Sequence, residues 1–147
     1  MNNIRIAASA LNQIPLDFEG NYNRIIQAIN LALDQEVALL CLPELCITGY
    51  GCEDAFFSKE VHKKASDYLD KIVHYLYEFD YSIVVSVGLP FFSEGALYNV
   101  AALVSKNGIL GLVPKQNLAN DGVHYESRWF KPGTAGLETY YYTNLGN

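Results

Sequence analysis

Leu42-Pro43-Glu44-Leu45-Cys46-Ile47-Thr48-Gly49-Tyr50 follows directly on the apolar run Val37-Ala38-Leu39-Leu40-Cys41. The two stretches together describe a buried strand that ends by delivering one acid. The residue before Pro43 is held extended, and Pro43 has no N–H for a neighbouring strand, so regular pairing stops there. Glu44 then stands at the C-terminal end of a strand, where α/β proteins gather their chemistry. An apolar surrounding would desolvate the carboxylate and raise its pKa, which suits a general base. An exposed loop acid is the competing reading of the same segment.

A second segment repeats the pattern. Gly111-Leu112-Val113-Pro114-Lys115-Gln116-Asn117-Leu118 ends an apolar strand in a proline followed by one cation, Lys115. It leads into Tyr125-Glu126-Ser127-Arg128-Trp129-Phe130-Lys131-Pro132-Gly133. An acid and a lysine, each delivered by a strand end, make a candidate base and electrophile pair.

Working outward, strand-like and helix-like segments alternate. Ile4 to Leu11 reads as a buried first strand, with Ala7, Ala8 and Ala10 small enough for a helix to approach. Asp17 to Gln35 carries Ile25, Ile26, Ala28, Ile29, Ala32 and Leu33 at helical spacing behind an acidic start. Val37 to Leu42 is the second strand. A long helix is expected from Ser58 to Phe79, with Val61, Ala65, Tyr68, Leu69, Ile72, Val73 and Leu76 inward and Ser58 capping alone. Ser82 to Leu89, Leu97 to Ser105 and Ile109 to Val113 are further strands, the last two joined through Lys106-Asn107-Gly108, a hairpin signal. Thr139 to Thr143 reads as one more strand.

Composition excludes several classes of function. Hydrophobic residues make up 50% of the 147 and charged ones 18%, ample for one core. The net charge is −6, with no basic cluster beyond Lys63-Lys64, which argues against nucleic acid as a partner. Three cysteines at irregular spacing do not form a disulfide framework and fit a reducing compartment, the cytoplasm. The scattered histidines 62, 74 and 124 offer no metal-ligand spacing, and no apolar run reaches the ~20 residues needed to span a bilayer. The start, Met1 to Arg5, lacks the apolar core of a signal peptide.

With these motifs placed, the chain resembles the carbon–nitrogen hydrolase (nitrilase) superfamily, whose active site is a Glu-Lys-Cys triad. The run Leu42 to Tyr50 with the acidic and aromatic residues after it, Pro114 to Leu118, and Tyr125 to Phe130 are similar to the glutaminase domains of glutamine-dependent NAD synthetases. The resemblance extends from Ile4 to Gly133. It implies an α/β fold, about the first half of a four-layer α-β-β-α sandwich, in homo-oligomers. It also implies a role in supplying ammonia from glutamine for ATP-dependent amidation of deamido-NAD. ATP and magnesium would serve a synthetase domain of the same polypeptide, and this segment would need no cofactor.

On that resemblance Glu44 is the base, Lys115 stabilises the oxyanion, Glu126 orients Lys115, and Tyr50 lines the pocket for the glutamine side chain. Pairing with Arg128 is the competing reading of Glu126. The family's nucleophilic cysteine lies well beyond the lysine, whereas Cys41, Cys46 and Cys52 all precede Lys115. Residues 1–147 are therefore expected to be a partial glutaminase domain, cut before the nucleophile and inactive alone. Cys46, two residues after Glu44, is the alternative nucleophile, although its apolar neighbours suggest a packed thiol. A stand-alone amidase or carbamoyl hydrolase, and a non-catalytic binding module, remain the other function classes.

Overall fold

Five strands and two long helices succeed one another as β1 (Ile6–Ala8), α1 (Phe18–Asp34), β2 (Leu39–Cys41), α2 (Lys59–Tyr77), β3 (Val84–Ser93), β4 (Ala96–Ser105) and β5 (Gly108–Pro114). They come from a computed structural model that describes residues 3–134. The expected strand from Thr139 to Thr143 lies outside the described residues.

The five strands form one sheet whose spatial order, β1-β2-β3-β4-β5, repeats the chain order. β1 to β3 are parallel, while β3-β4 and β4-β5 are antiparallel. Two successive right-handed crossovers in one direction put α1 and α2 on the same face of the sheet. Their contact is aromatic: the Phe18 and Tyr68 rings stack at 5.6 Å, and Tyr22 meets Tyr68 edge-on at 5.7 Å.

The helical periodicity read from the sequence marks the buried face, although Ile26, Leu33 and Tyr68 are only half-buried at its margins. Ile25, Ala28, Ile29 and Ala32 of α1 are buried, as are Val61, Ala65, Leu69, Ile72, Val73 and Leu76 of α2. They meet Leu40, Val85, Val87, Leu89, Val100, Ala102 and Val104, which the strand register stacks on one side of the sheet. Each fully buried Ile or Leu side chain contributes about 1.5–3 kcal/mol. α1 is capped by Asp17, whose carboxylate accepts the Gly20 N–H at 3.0 Å. Ser58 takes the N-cap position of α2, but its side chain makes no capping hydrogen bond.

Two strand expectations are corrected. β1 is short and open: Ile4 is 76% and Ile6 69% exposed. As the edge strand it has a neighbour on one side only, and Ile6 pairs with Leu39 on the sheet face that carries no helix. β3 does not stop at Leu89 but runs through Pro90 to Ser93. Its pairing with β2 ends at Ser86, so Pro90 sits where that flank holds no strand, a position that tolerates a missing N–H. The hairpin turn that follows, Glu94-Gly95, has φ of 49° and 78°, both left-handed, as a tight two-residue turn requires. The β4-β5 hairpin turns at Lys106-Asn107 as expected, with a bulge between Leu103 and Val104.

Candidate active site

β5 is antiparallel to β4, and β4 to β3, so β5 runs in the same direction as β2 and β3. The C-terminal ends of β2 and β5 therefore open on one edge of the sheet, but three strand spacings separate them, about 14 Å. The loop after β2 closes that gap. Leu42 N–H still donates to Ser86 O at 3.0 Å; the chain then crosses over Gly88 of β3, and Ile47 N–H donates to Gly88 O at 3.2 Å. Gly88 is required there, because a Cβ would stand 2.6 Å from Pro43 O and 2.4 Å from the Leu45 nitrogen. Leu45 takes a left-handed φ of 50° to make the bend.

That path brings Glu44 to Lys115. Lys115 Nζ donates to Glu44 Oε1 at 2.7 Å. On its other side Nζ stands 3.1 Å from Glu126 Oε1 and 2.9 Å from Oε2. The ammonium thus lies between two carboxylates, and the three groups carry a net charge of one negative. Glu44 is not the desolvated acid expected from its apolar neighbours: its side chain is 40% exposed. The carboxylate rises out of the apolar run at the loop crest, and its buried neighbours are Leu45 and Ile47.

Glu126 is the buried acid of the group, 2% exposed, and it does not pair with Arg128. It begins a 3₁₀ turn, Glu126–Arg128. Its Oε2 accepts the Ala119 N–H at 2.7 Å, and Tyr50 Oη donates to its Oε1 at 2.9 Å. Burial pushes this carboxyl up, but the Ala119 N–H, Lys115 and Tyr50 outweigh burial and hold it below the ordinary glutamate value. Burial works against the charged form of Lys115 too, yet its bonds to Glu44 and Glu126 raise it above the ordinary lysine value. Tyr50 is pushed up to about 12, by burial first and then by its bond to Glu126. Its hydroxyl also lies 3.4 Å from His124 Nδ1.

All four residues singled out in the sequence, Glu44, Tyr50, Lys115 and Glu126, therefore converge. Cys46 does not join them. It is fully buried, its Sγ lies 3.6 Å from Gly88 O, and burial pushes the thiol up to about 12. Cys41, by contrast, is exposed and lines, with Glu44, Asn99 and Lys115, a cleft of about 400 Å³ on the helix-free face. Small side chains, Ser86, Gly88 and Ala101, form part of its lining.

Tyr98-Asn99 reads from the sequence as a strand entry with a hydrogen-bonding tip and a structural role, yet Asn99 reaches the site itself; a second feature, the partner of Arg128, escapes the sequence. Asn99 of β4, 3% exposed, donates through Nδ2 to Glu44 Oε1 at 2.5 Å. A polar residue in the buried run Leu97 to Val104 must find a partner, and that is the signal the sequence offers. Arg128 takes Asp54 instead of Glu126, with Nε and Nη2 donating to the two carboxylate oxygens at 2.7 and 2.8 Å. The Trp129 indole N–H adds a third bond to Asp54 at 2.9 Å. These bonds tie the loop carrying Tyr50 to the turn carrying Glu126. Asp54 is held well below the ordinary aspartate range by Arg128, then by Trp129.

A preformed ammonium between two carboxylates can stabilise negative charge developing on a substrate oxygen, and a half-exposed carboxylate beside it can move a proton. Proteins similar to this chain include NAD(+) synthetases and an amidase. Glutamine-dependent NAD(+) synthetase of Saccharomyces cerevisiae is 37% identical over 134 residues, covering 88% of this chain and 18% of that protein. The chain thus spans about a fifth of the length of such relatives. The crystal structure of a glutamine-dependent NAD(+) synthetase from Cytophaga hutchinsonii superposes with a TM-score of 0.88 at 45% identity, over 96% of this chain and 24% of that one. An amidase from Nesterenkonia sp. superposes at 0.75 with 25% identity, over 89% of this chain and 48% of that one. The carbon-nitrogen hydrolase model matches residues 5–147, and the chain belongs to that family.

Proposed function

We propose that this chain is part of the glutaminase domain of a glutamine-dependent NAD synthetase and hydrolyses the glutamine side-chain amide once a nucleophilic thiol is supplied. The observation that carries the reading is Lys115 Nζ held at 2.7 Å from Glu44 and 2.9 Å from Glu126. The likeness to NAD synthetases along 88–96% of the chain favours glutamine over other amides. A stand-alone amidase is the second reading, favoured by the Nesterenkonia likeness.

In this proposal Glu44 accepts the thiol proton as sulfur bonds to the amide carbon, and the carbonyl π electrons move to oxygen. Lys115 faces that oxyanion; a single such electrostatic donor is worth on the order of 3 kcal/mol. Glu44 then passes its proton to the amide nitrogen, the C–N bond breaks, and ammonia leaves a thioester. Water attacks next: Glu44 takes a proton from it, the C–S bond breaks, and the thiolate recovers the proton. Glu126 fixes the ammonium by two contacts and stays charged, and Tyr50 fixes Glu126. The thiol is assigned, on the family resemblance, to a cysteine beyond Lys115 in the complete polypeptide; Cys46 and Cys52 are buried, and Cys41, although exposed in the cleft, precedes Glu44 and does not match that position. The ATP-dependent amidation of deamido-NAD belongs to other parts of that polypeptide. The free thiols fit the cytoplasm.

The test is Glu44→Gln in the complete enzyme. Glutamine is nearly isosteric but takes no proton, so glutamine-dependent synthesis should be lost while synthesis from free ammonia persists. Near-normal use of glutamine by the variant would refute the assignment. Amide hydrolysis without any NAD synthesis would favour the stand-alone amidase.

A further inference from the structure

Two bonds converge on one oxygen of Glu44. Asn99 Nδ2 donates to Oε1 at 2.5 Å and Lys115 Nζ donates to the same Oε1 at 2.7 Å. Among the described residues Oε2 has no hydrogen-bond partner. A carboxylate held by one oxygen presents the other in a fixed direction, and an oxygen whose two lone pairs both accept from donors has none left for a proton. The facing atom of Asn99 has to be its NH₂ group, because a carboxylate offers only acceptors.

Asn99 also holds the other member of the pair. Lys115 N–H donates to Asn99 O at 2.8 Å, one step beyond the Val100–Pro114 pairing of the β4-β5 ladder. One residue therefore grips the Glu44 side chain with its amide and the Lys115 main chain with its carbonyl. It is 3% exposed in a continuous strand, so its own position is set by β4. Glu44 arrives on a loop and Lys115 at a strand end, and Asn99 is the rigid reference common to both.

We propose that Asn99 is the positioning residue of this site, selecting Oε2 of Glu44 as the proton-accepting atom and setting the distance between Glu44 and Lys115. The inference rests on the glutaminase reading and adds a residue to it. In this proposal Asn99 acts through the groups it bonds, the Glu44 carboxylate and the Lys115 main chain.

The test uses the complete enzyme and glutamine hydrolysis as a function of pH. Asn99→Asp keeps shape but places a second carboxylate against Glu44. The two acids then share a proton, so the acidic limb of kcat should move up by about one pH unit or more. Asn99→Leu removes the donor without adding charge. It should lower kcat about 10–100-fold, the range of one lost orienting contact, with KM changed less than about threefold. Asn99→Gln, which keeps the amide, should recover part of the rate. A merely structural asparagine would shift neither the pH limb nor the balance of kcat and KM. An unmoved acidic limb in Asn99→Asp together with near-normal kcat in Asn99→Leu overturns the inference. Synthesis from free ammonia and the thermal midpoint report folding. If Asn99→Leu unfolds, Asn99→Ser, which shortens the side chain out of reach, is judged by the same kcat criterion. If the wild-type enzyme hydrolyses no amide, the glutaminase reading fails; if it does and only the Asn99 variants are silent, this inference fails alone.

Discussion

Gly88 and Leu45 are packed backbone against backbone: a Cβ on residue 88 would stand 2.4 Å from the Leu45 nitrogen. That contact lets the loop after β2 cross β3 and carry Glu44 toward β4 and β5. Gly88→Ala must therefore push the loop away, because neither backbone can yield as a side-chain tip can. Overpacking of this kind costs about 1–3 kcal/mol. A shifted denaturant midpoint, with amide hydrolysis falling further than stability in the complete enzyme, is the expected result. An alanine variant of unchanged stability and rate would show that the loop has room.

Thiol labelling separates the three cysteines. Cys41 is exposed, while Cys46 and Cys52 are buried and their thiols are pushed up by burial. Native protein should react quickly with an aromatic disulfide reagent at Cys41 alone, and at all three after denaturation. The 147-residue chain should release no ammonia from glutamine. Turnover abolished by Cys46→Ser or Cys41→Ser would move the nucleophile to that residue.

Stability should respond to pH at both ends through the same charge cluster. Glu126 titrates below its ordinary value of 4.5 in the fold, so its contribution is present above about pH 4.5 and is lost as pH falls through the lower folded value. Lys115 titrates above its ordinary 10.5, so its contribution is present below that pH and is lost as pH rises past the folded value. Between these limits the cluster adds no slope. Glu126→Gln should cost about 1–3 kcal/mol at neutral pH, from the lost charge on bonds to Ala119 and Lys115, and should flatten the acidic limb. Urea unfolding at stepped pH measures both; an acidic limb identical in variant and wild type would exclude Glu126 as its source.

The elements with strong periodicity are legible in the amino-acid sequence alone. α1 and α2 bury the faces their spacing marks, and β2 and β5 end in proline and deliver Glu44 and Lys115. The convergence of those two residues with Glu126 and Tyr50 is legible only through resemblance, since no local pattern tells a strand end which other strand end it will face. β1 misleads because an edge strand built of Ile and Ala has the same composition as a central one. β3 reads as ending before Pro90 because the rule against proline assumes a neighbour on both flanks, which β3 lacks beyond Ser86. The environment of Glu44 misleads because apolar neighbours in sequence point down into the core while the carboxylate points up. Asn99 gives little sign of its role because its partner is 55 positions away.

The Asp54–Arg128 pair is exposed, so salt should screen it. Asp54→Asn should lower stability only slightly, an effect that vanishes in molar salt. The same variant releases the turn that holds Glu126, so the KM for glutamine in the complete enzyme should rise. An unchanged KM would confine the pair to the surface.

Sedimentation tests the helix-free face. Ile6, Leu39 and Val113 lie on it at 69%, 40% and 55% exposure. The 147-residue chain should self-associate at micromolar concentration and dissociate in mild urea. A monomer with cooperative unfolding would show that this face needs no cover.

Because each strand pairs with the one made just before it, the sheet can assemble in the order in which a ribosome delivers it. The meander from β3 to β5 needs only short loop closures and can form quickly once synthesised. The acid, although translated first, cannot take its final course until β3 has emerged to receive its loop at Gly88. It finds its cation only when β5 has closed. A nascent chain that has not yet reached Lys115 would carry Glu44 without that counter-ion, so the acid–cation pair forms only after most of the hydrophobic core around β1 to β4 is already in place.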